Sequence, residues 1–119
     1  IKDFKDIPGI IAVENHMKQA LLNVILNAIQ AMPGGGELKI STDVENTFVT
    51  IKVRDTGPGI PADKLPNIFK PFYTTKGEGT GLGLAIAKRI VKEHDGSIEV
   101  ESKAGSGTTF SIRIPSPVQ

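Results

Sequence analysis

Residues 77–84 read GEGTGLGL and lead directly into a segment with the periodicity of an amphipathic helix. Glycine at every second position, from Gly77 to Gly83, destabilises helix and strand alike, so a purely structural explanation is hard to sustain. Such a loop presents backbone amides ahead of a helix N-terminus, and this arrangement is typical of a binding site for phosphate oxygens. Lys76 directly precedes the loop and could supply a counter-charge. The chain contains no G-x-x-x-x-G-K-[ST] pattern, so the loop is not a P-loop.

Two helices are predicted on either side of this loop. Residues 16–32 contain no glycine or proline, and their apolar residues recur at helical spacing. Because Leu22, Leu26 and Ile29 add a second apolar stripe, we predict that most of this helix is buried. The second helix starts at Leu82, and we expect Gly96 to cap its C-terminus. Its predicted outward-facing residues are Lys88, Arg89 and Lys92.

Strands are predicted in two hairpins, from residues 37–43 with 48–54 and from 97–101 with 108–114, where apolar and polar residues alternate. Two further short strands are predicted at residues 1–7 and 9–14, and a short helix near residues 63–69. This order of elements predicts an α+β domain, in which helices cover one face of a sheet.

Composition limits the possible functions. The chain has 119 residues, of which 39% are hydrophobic and 23% charged, as expected for one compact domain. Its formal net charge of +1 and lack of a basic cluster give no basis for a nucleic-acid partner. The absence of cysteine excludes disulfides, a thiolate nucleophile and thiolate-bound zinc. The chain opens at Ile1 without a methionine, and we expect it to be an excised domain.

A polar stripe follows one face of the first predicted helix. It consists of residues spaced by three or four positions: His16, Gln19, Asn23, Asn27 and Gln30. Unpartnered buried amides cost on the order of 1–3 kcal/mol each, so the stripe either lines a cavity or contacts water. Both interpretations stay open. Carboxamide oxygens are also ligands suited to a hydrated Mg²⁺.

The sequence DTGPG, residues 55–59, follows a predicted strand directly. It can form an ordinary turn. It can also form a site in which Asp55 accepts a hydrogen bond from an exocyclic amine while the glycines let a planar base approach the backbone. Residues 57–62 also satisfy the dinucleotide pattern G-x-G-x-x-G/A. However, Pro61 lies in the turn, Pro66 interrupts the following helix and no long crossover to a parallel strand follows, so we reject that interpretation.

The histidines and aromatic residues are weaker candidates. We expect His94 to be solvated at a helix end, where a cation favours the helix dipole. His16 has no metal-ligand spacing to His94, so the two form no predicted site. Phe69, Phe72 and Tyr73 surround Pro71 and fit core packing and loop anchoring equally well.

These motifs together resemble the catalytic domains of histidine kinases, within the group that includes gyrase, the mismatch-repair ATPase and a heat-shock chaperone. The helix with Asn23-x-x-x-Asn27-Ala28 resembles the N box, Asp55-x-Gly57-x-Gly59 the first glycine box, and Phe69-x-Pro71-Phe72 the F box. The second glycine box matches residues 79–84, and Gly107-Thr108-x-Phe110 matches a further motif on the last hairpin. The resemblance extends from about Met17 to Pro115, and five motifs in the family's order are very specific.

The resemblance implies a Bergerat-type two-layer sandwich, with a mixed, mainly antiparallel sheet of about five strands covered on one face by about three helices. The whole chain, residues 1–119, would be a single ATP-binding catalytic domain with ATP or ADP and Mg²⁺ as ligands. Asp55 would bind the adenine amino group with Thr108 nearby, and Asn27 would ligate Mg²⁺ with support from Asn23. A lid from Phe69 to Gly81 would close over the triphosphate. The remaining residues implied in nucleotide binding are Gln30, Gly57, Gly59, Ile60, Lys76, Gly79, Thr80, Leu82, Gly83 and Leu84.

One position separates the kinases from the hydrolytic members of this group. Those members carry a glutamate as general base where this chain has Asn23, which cannot accept a proton. The resemblance therefore implies a protein-histidine kinase that holds ATP without splitting it quickly. Alternatives are a gyrase-like ATP-driven clamp and a non-catalytic ATP-sensing module.

The resemblance also implies partners. Neither histidine matches the phosphoacceptor motif, so no catalytic residue is assigned within this chain, and the phosphorylated histidine is expected on a preceding dimerisation and phosphoacceptor helical domain. Through that domain the kinase would act on a response regulator in a two-component system. We expect the chain itself to be monomeric and cytoplasmic. Whether the parent kinase has a membrane anchor is left open.

Overall fold

A computed structural model describes residues 2–3, 14–45, 47–71 and 82–115. Within these ranges the chain forms strands β1 (Lys2–Asp3), β2 (Leu38–Glu45), β3 (Phe48–Asp55), β4 (Ser97–Lys103) and β5 (Gly107–Pro115). The α-helices are α1 (Glu14–Gln30) and α2 (Gly83–Glu93), and one 3₁₀ turn spans Leu65–Asn67. Both predicted hairpins and both predicted long helices are therefore present.

The five strands form one sheet in the order β1-β2-β3-β5-β4. β1 pairs with β2 in parallel, and the other three pairings are antiparallel. Both helices contribute residues to a single apolar cluster with the inward side chains of the sheet. The prediction of an α+β sandwich with a mixed, mainly antiparallel sheet is confirmed. Its helical layer contains two α-helices and the 3₁₀ turn in the part of the chain that the structure describes.

The inward face of the sheet changes from apolar to polar at one end. In β3 the alternating residues Val49, Ile51 and Val53 are buried, and Asp55 follows in the same alternation. In β5 Thr108 precedes the buried residues 110, 112 and 114 in the same way. Because side chains two apart in a strand share a face, Asp55 and Thr108 point to the side that the helices cover.

The prediction that most of α1 is buried is wrong. Ala20, Val24 and Ala28 are fully buried, but the second apolar stripe is solvent-exposed: Leu22 at 52%, Leu26 at 43% and Ile29 at 50%. At 3.6 residues per turn these three side chains lie opposite the buried face. A single helical layer covers the sheet on its inner side only, so the outer face of α1 has nothing to pack against in the described ranges.

The end of α2 corrects the predicted cap. Gly96 N–H donates to the Val91 carbonyl at 2.9 Å and Asp95 N–H to the Lys92 carbonyl at 3.0 Å, which is the Schellman pattern. The residue in the left-handed conformation is Asp95, with φ of 61°, and not Gly96. The exposed positions of Lys88, Arg89 and Lys92 are as predicted.

The first and middle segments differ in part from prediction. β1 lies within the strand predicted at residues 1–7, whereas residues 4–13 lie outside the described residues. Glu14, assigned to a second strand, belongs to α1. The short helix predicted at residues 63–69 is a single 3₁₀ turn with Pro66 in its first positions. No helix in the ranges above is both long and apolar enough to cross a membrane.

Candidate nucleotide-binding site

A row of three polar side chains crosses the sheet where its apolar face ends. Asp55 is paired directly with Thr108 across β3 and β5, and Thr108 with Ser102 across β5 and β4. Directly opposed residues place their Cβ atoms about 4.5–5.5 Å apart. Asp55 is 2% exposed and Thr108 6% exposed, while Ser102 is half-buried. The sheet thus brings a carboxyl group and two hydroxyl groups together beside the core.

A turn immediately after β3 holds the Asp55 carboxyl group. Gly57 N–H donates to Asp55 Oδ1 at 2.9 Å, which is the geometry of an Asx turn. A carboxylate offers about four lone-pair sites, so one such bond leaves acceptor capacity for a ligand. The two interpretations of residues 55–59, an ordinary turn and a site that accepts a hydrogen bond from an amine, are therefore compatible, because the turn itself orients the Asp55 carboxyl group.

The glycines of this loop are required by packing of the chain on itself. Gly59 has φ of 78°, and a Cβ on it would lie 2.1 Å from the Lys103 carbonyl oxygen. Gly105 N–H also donates to the Pro58 carbonyl at 2.6 Å. The loop after β3 is thereby docked on the turn between β4 and β5, independently of any approach by a base.

Ser102 was not recognised from the sequence, although it connects three parts of the site. Ile60 N–H donates to Ser102 Oγ at 2.7 Å, and Ser102 Oγ donates to the Gly107 carbonyl at 3.1 Å. Ser102 Oγ also lies 2.8 Å from Thr108 Oγ1. The signal was available, because Ser102 is the polar member of an inward series that Ile98 and Val100 begin.

The polar stripe on α1 divides into two groups. Asn23 and Asn27 are half-buried, whereas His16, Gln19 and Gln30 are exposed. A Cβ on Gly83 would lie 3.9 Å from the Asn23 Cβ, so Asn23 faces the first turn of α2. Part of the stripe therefore borders the neighbouring helix, and the rest contacts water.

In the part of the chain that the structure describes, no side chain caps the N-terminus of α2. Leu82 occupies the N-cap position and makes no capping hydrogen bond with its side chain. The first amides of a helix carry partial positive charge and suit an anionic ligand when no side chain serves them. Gly83 and Leu84 form this first turn, beside Asn23.

The end of α1 is joined to the loop after β3. Thr56 Oγ1 accepts a hydrogen bond from Glu37 N–H at 2.9 Å and donates to Met32 Sδ at 3.6 Å. A Cβ on Gly57 would lie 3.1 Å from the Ala31 carbonyl oxygen. The helix that carries Asn23 and Asn27 is thus fixed relative to the loop that carries Asp55.

The remaining candidates separate into core residues and residues outside the described ranges. Phe69 packs edge-on against Phe110, with ring centroids 6.1 Å apart, and Lys88 Nζ lies 5.1 Å from its ring centroid. Core packing is therefore the role of Phe69 that the structure supports. Ile60 and Leu84 also pack against the core cluster. Lys76, Gly79, Thr80, Gly81, Phe72 and Tyr73 lie outside the described residues.

The expectation of a solvated His94 is wrong. The ring is half-buried, and Nδ1 lies 2.7 Å from the Ile90 carbonyl oxygen one turn earlier. Nε2 is buried and has no hydrogen-bond partner within the described part of the chain. The histidine therefore closes the last turn of α2 rather than facing water.

The described side chains provide no metal cage of their own. Among them, no group of three or more histidine, aspartate or glutamate residues is arranged to hold a metal ion. A metal here would need waters and ligand oxygens in addition to carboxamide oxygens from α1. That donor set fits Mg²⁺, which usually keeps several waters and is shared with substrate phosphates.

Comparisons with known proteins identify the family of the chain. Residues 12–118 match the family described as histidine kinase-, DNA gyrase B-, and HSP90-like ATPase. Sporulation kinase C of Bacillus subtilis (strain 168) is 49% identical over 116 residues, which cover 96% of this chain and 27% of that kinase. The chain thus spans about a quarter of the length of this curated relative.

Two solved structures extend the comparison to the fold. The nucleotide-free catalytic domain of histidine kinase ThkA superposes with a TM-score of 0.83 at 36% identity, covering 96% of this chain and 76% of that domain. Full-length ShkA in complex with AMPPNP superposes with a TM-score of 0.83 at 31% identity, covering 96% of this chain and 24% of ShkA. The chain belongs to the histidine kinase-, DNA gyrase B-, and HSP90-like ATPase family and, within it, to the catalytic domains of histidine kinases.

Proposed function

We propose that this chain binds Mg·ATP and donates the γ-phosphoryl group to a histidine on a separate helical domain of its parent kinase. The observation that carries the proposal is the juxtaposed pair of buried acceptors, Asp55 and Thr108, at the end of the sheet. The N-terminus of α2 and the asparagines of α1 are the second half of the site.

The adenine ring is assigned to the end of the sheet. Asp55 accepts from the exocyclic amine, because its carboxyl group is buried, oriented by Gly57 and rich in lone pairs. Thr108 stands beside it and contacts the same group directly or through a water. Gly57, Gly59 and Ile60 form the wall next to Asp55.

The phosphates and the metal are assigned to the region where Asn23 and Asn27 of α1 border the first turn of α2. Asn27 supplies a carboxamide oxygen to Mg²⁺, and Asn23, which faces the first turn of α2, supports the phosphates or the waters of the metal. Backbone amides around Leu82, Gly83 and Leu84 contact phosphate oxygens. Gln30, Lys76, Gly79, Thr80 and Gly81 are assigned to the triphosphate and lid from the sequence motifs, whereas Phe69 packs against the core at the start of the proposed lid.

The reaction is phosphoryl transfer to an external nucleophile. A histidine ring nitrogen attacks the γ-phosphorus, the bond to the β–γ bridging oxygen breaks, and ADP leaves. Most of the catalysis is positioning and charge neutralisation, for which bound Mg²⁺ supplies the largest positive charge. Asn23 cannot act as a general base, so water is not activated for attack.

The partners are assigned from the comparison with longer relatives, of which this chain matches only a part. Because the chain spans 27% of sporulation kinase C, the nucleophile is assigned to a dimerisation and phosphoacceptor helical domain outside residues 1–119. A response regulator then receives the phosphoryl group from that domain. Residues 1–119 form one catalytic unit, which acts in the cytoplasm and is monomeric on its own.

Calorimetric titration with ADP, with and without Mg²⁺, tests the nucleotide site. We expect Mg²⁺-dependent binding that Asp55→Asn weakens by more than about tenfold, because the new amide donor faces the amine donor of adenine. Asparagine keeps the oxygen that accepts from Gly57, so the fold should be preserved. Asn27→Asp tests the metal, and it should change the dependence on Mg²⁺ more than the affinity without metal. Equal binding by the parent and Asp55→Asn would refute the adenine assignment.

A transfer assay separates the kinase from its alternatives. Mixed with the helical domain of its parent and labelled ATP, the chain should produce acid-labile phosphohistidine. Rapid hydrolysis with nucleotide-dependent dimerisation would instead indicate an ATP-driven clamp. Binding without transfer would indicate an ATP-sensing module.

A further inference from the structure

The hydroxyl group of Ser102 has a fixed set of partners. An alcohol has one proton and two lone pairs. Ile60 N–H, 2.7 Å away, occupies one lone pair of Ser102 Oγ. The Gly107 carbonyl, 3.1 Å away, is an acceptor only and therefore takes the Ser102 proton. The contact to Thr108 at 2.8 Å must then use the second lone pair of Ser102.

This arrangement determines the role of Thr108. Since Ser102 accepts in their contact, Thr108 is the donor, and its only proton is committed to Ser102. Thr108 therefore presents lone pairs alone to the space beside Asp55, its direct neighbour across the sheet. An ionised Asp55 is also an acceptor only. The two side chains form an acceptor-only surface, which complements a ligand group that carries two N–H donors.

We propose that Ser102 is a positioning residue, which holds Thr108 as an acceptor and thereby makes the site prefer a 6-amino purine to a 6-oxo purine. This inference rests on the proposed function, because it takes the purine edge to lie against Asp55 and Thr108. Ser102 does not itself contact the base. Without Ser102, Thr108 is free to turn its proton toward the ligand and serve the oxygen of a 6-oxo purine.

The discriminating quantity is the ratio of the ADP and IDP affinities, because these nucleotides differ by an amino and an oxo group at one position. Affinities are measured by calorimetry, with IDP titrated in competition with ADP. Ser102→Ala should weaken ADP binding by about three- to tenfold, the effect of one lost hydrogen bond. IDP binding should stay unchanged or tighten, because the freed Thr108 proton can serve its 6-oxo oxygen, so that the ratio of the ADP and IDP affinities falls by at least the factor lost for ADP. Ser102→Thr retains the hydroxyl and should retain the wild-type ratio.

A second pair of variants shows whether Ser102 acts through Thr108. Thr108→Val removes the acceptor while keeping the side-chain shape, and Ser102→Ala added to it should not lower the ratio further. If Ser102→Ala does not fold, Ser102→Cys replaces it, because a thiol of similar size is a weak acceptor and should lower the ratio partly.

The outcomes separate this inference from the function on which it rests. If Ser102→Ala weakens ADP and IDP equally, Ser102 is structural only and the inference is overturned. If the wild-type chain does not bind ADP, or Asp55→Asn binds it equally well, the proposed function fails first. A ratio that falls in Ser102→Ala and returns in Ser102→Thr supports the inference.

Discussion

Gly107 and Asp55 lie so close together that a Cβ on Gly107 would come within 2.2 Å of the Asp55 carbonyl oxygen. The two residues are on adjacent strands at the polar end of the sheet, and Gly107 has φ of 91°. Glycine is thus required at position 107 both by the conformation of the backbone and by the space beside Asp55. The position of the principal acceptor of the site depends on a residue without a side chain.

Gly107→Ala should therefore destabilise the domain by at least about 3 kcal/mol, because a left-handed alanine is strained and the methyl group meets backbone rather than a movable side chain. The measurement is the free energy of unfolding in urea. Gly105→Ala is the matched control, since Gly105 has φ of 84° but nothing within 4 Å of the added Cβ. It should cost about 1 kcal/mol, the strain alone. Equal losses for the two variants would show that the approach to Asp55 is not tight.

The two apolar stripes of α1 should differ sharply in their contribution to stability. Val24 is fully buried and Leu26 is 43% exposed on the opposite face. Val24→Ala should cost about 2 kcal/mol through lost burial and a residual cavity, whereas Leu26→Ala should stay within about 0.5 kcal/mol. Urea unfolding of the two variants measures both. A cost for Leu26→Ala similar to that for Val24→Ala would mean that the outer face of α1 is covered in solution.

The left-handed residue at the end of α2 offers a stabilising substitution. Asp95 adopts φ of 61°, which glycine takes without a steric penalty. Asp95→Gly should raise the free energy of unfolding by about 0.5–1 kcal/mol, because relief of strain exceeds the entropy that glycine adds to the unfolded chain. Asp95→Ala removes the same charge without relieving the strain and is the control. A stabilisation of equal size in both variants would trace the effect to charge.

The fold could be predicted from the sequence where periodicity alone decides the structure. Alternation in residues 48–54 predicts a strand that ends directly before Asp55, one residue short of the observed β3, and helical spacing identifies the buried stripe with Val24. Periodicity does not reveal how many layers cover an element, so Leu22, Leu26 and Ile29 were assigned to a buried face that the fold leaves exposed.

The details of the site depend on approaches between distant segments. The proposed role of Ser102 in orienting Thr108 depends on Ile60, which is far away in the sequence. The docking of one loop on another brings the Ile60 N–H to the Ser102 hydroxyl group. Likewise, glycine is required at position 59 because a Cβ there would collide with the Lys103 carbonyl oxygen, whether or not a ligand approaches. Spacing within one segment carries no information about such contacts, whereas the residues proposed to bind adenine and metal come from motifs that lie within single segments.

Asn23 should keep the hydrolysis of bound ATP slow. Asn23 is half-buried on α1 and faces the first turn of α2, where the phosphates are assigned. Its carboxamide cannot take a proton from water, so the wild-type chain should release phosphate from ATP barely faster than buffer alone. Asn23→Glu places a carboxylate there, and general-base catalysis contributes up to about 10²–10⁴-fold when the base is well positioned. We expect a clear rise in phosphate release, toward the lower end of that range, because the neighbouring groups do not position a water molecule for attack on the γ-phosphorus.

Asn23→Gln is the matched control, because it has the length of glutamate without a basic group, and it should remain as slow as the wild type. Both variants are compared at saturating Mg·ATP, with binding checked by calorimetry, so that a change in affinity is not mistaken for a change in turnover. An Asn23→Glu chain that binds ATP but hydrolyses it no faster than Asn23→Gln would place the γ-phosphate away from α1. The metal and phosphate assignments between the two helices would then be wrong, while the adenine site at Asp55 would be unaffected. Equal acceleration by glutamine would show instead that side-chain length, rather than the missing base, limits hydrolysis in this domain.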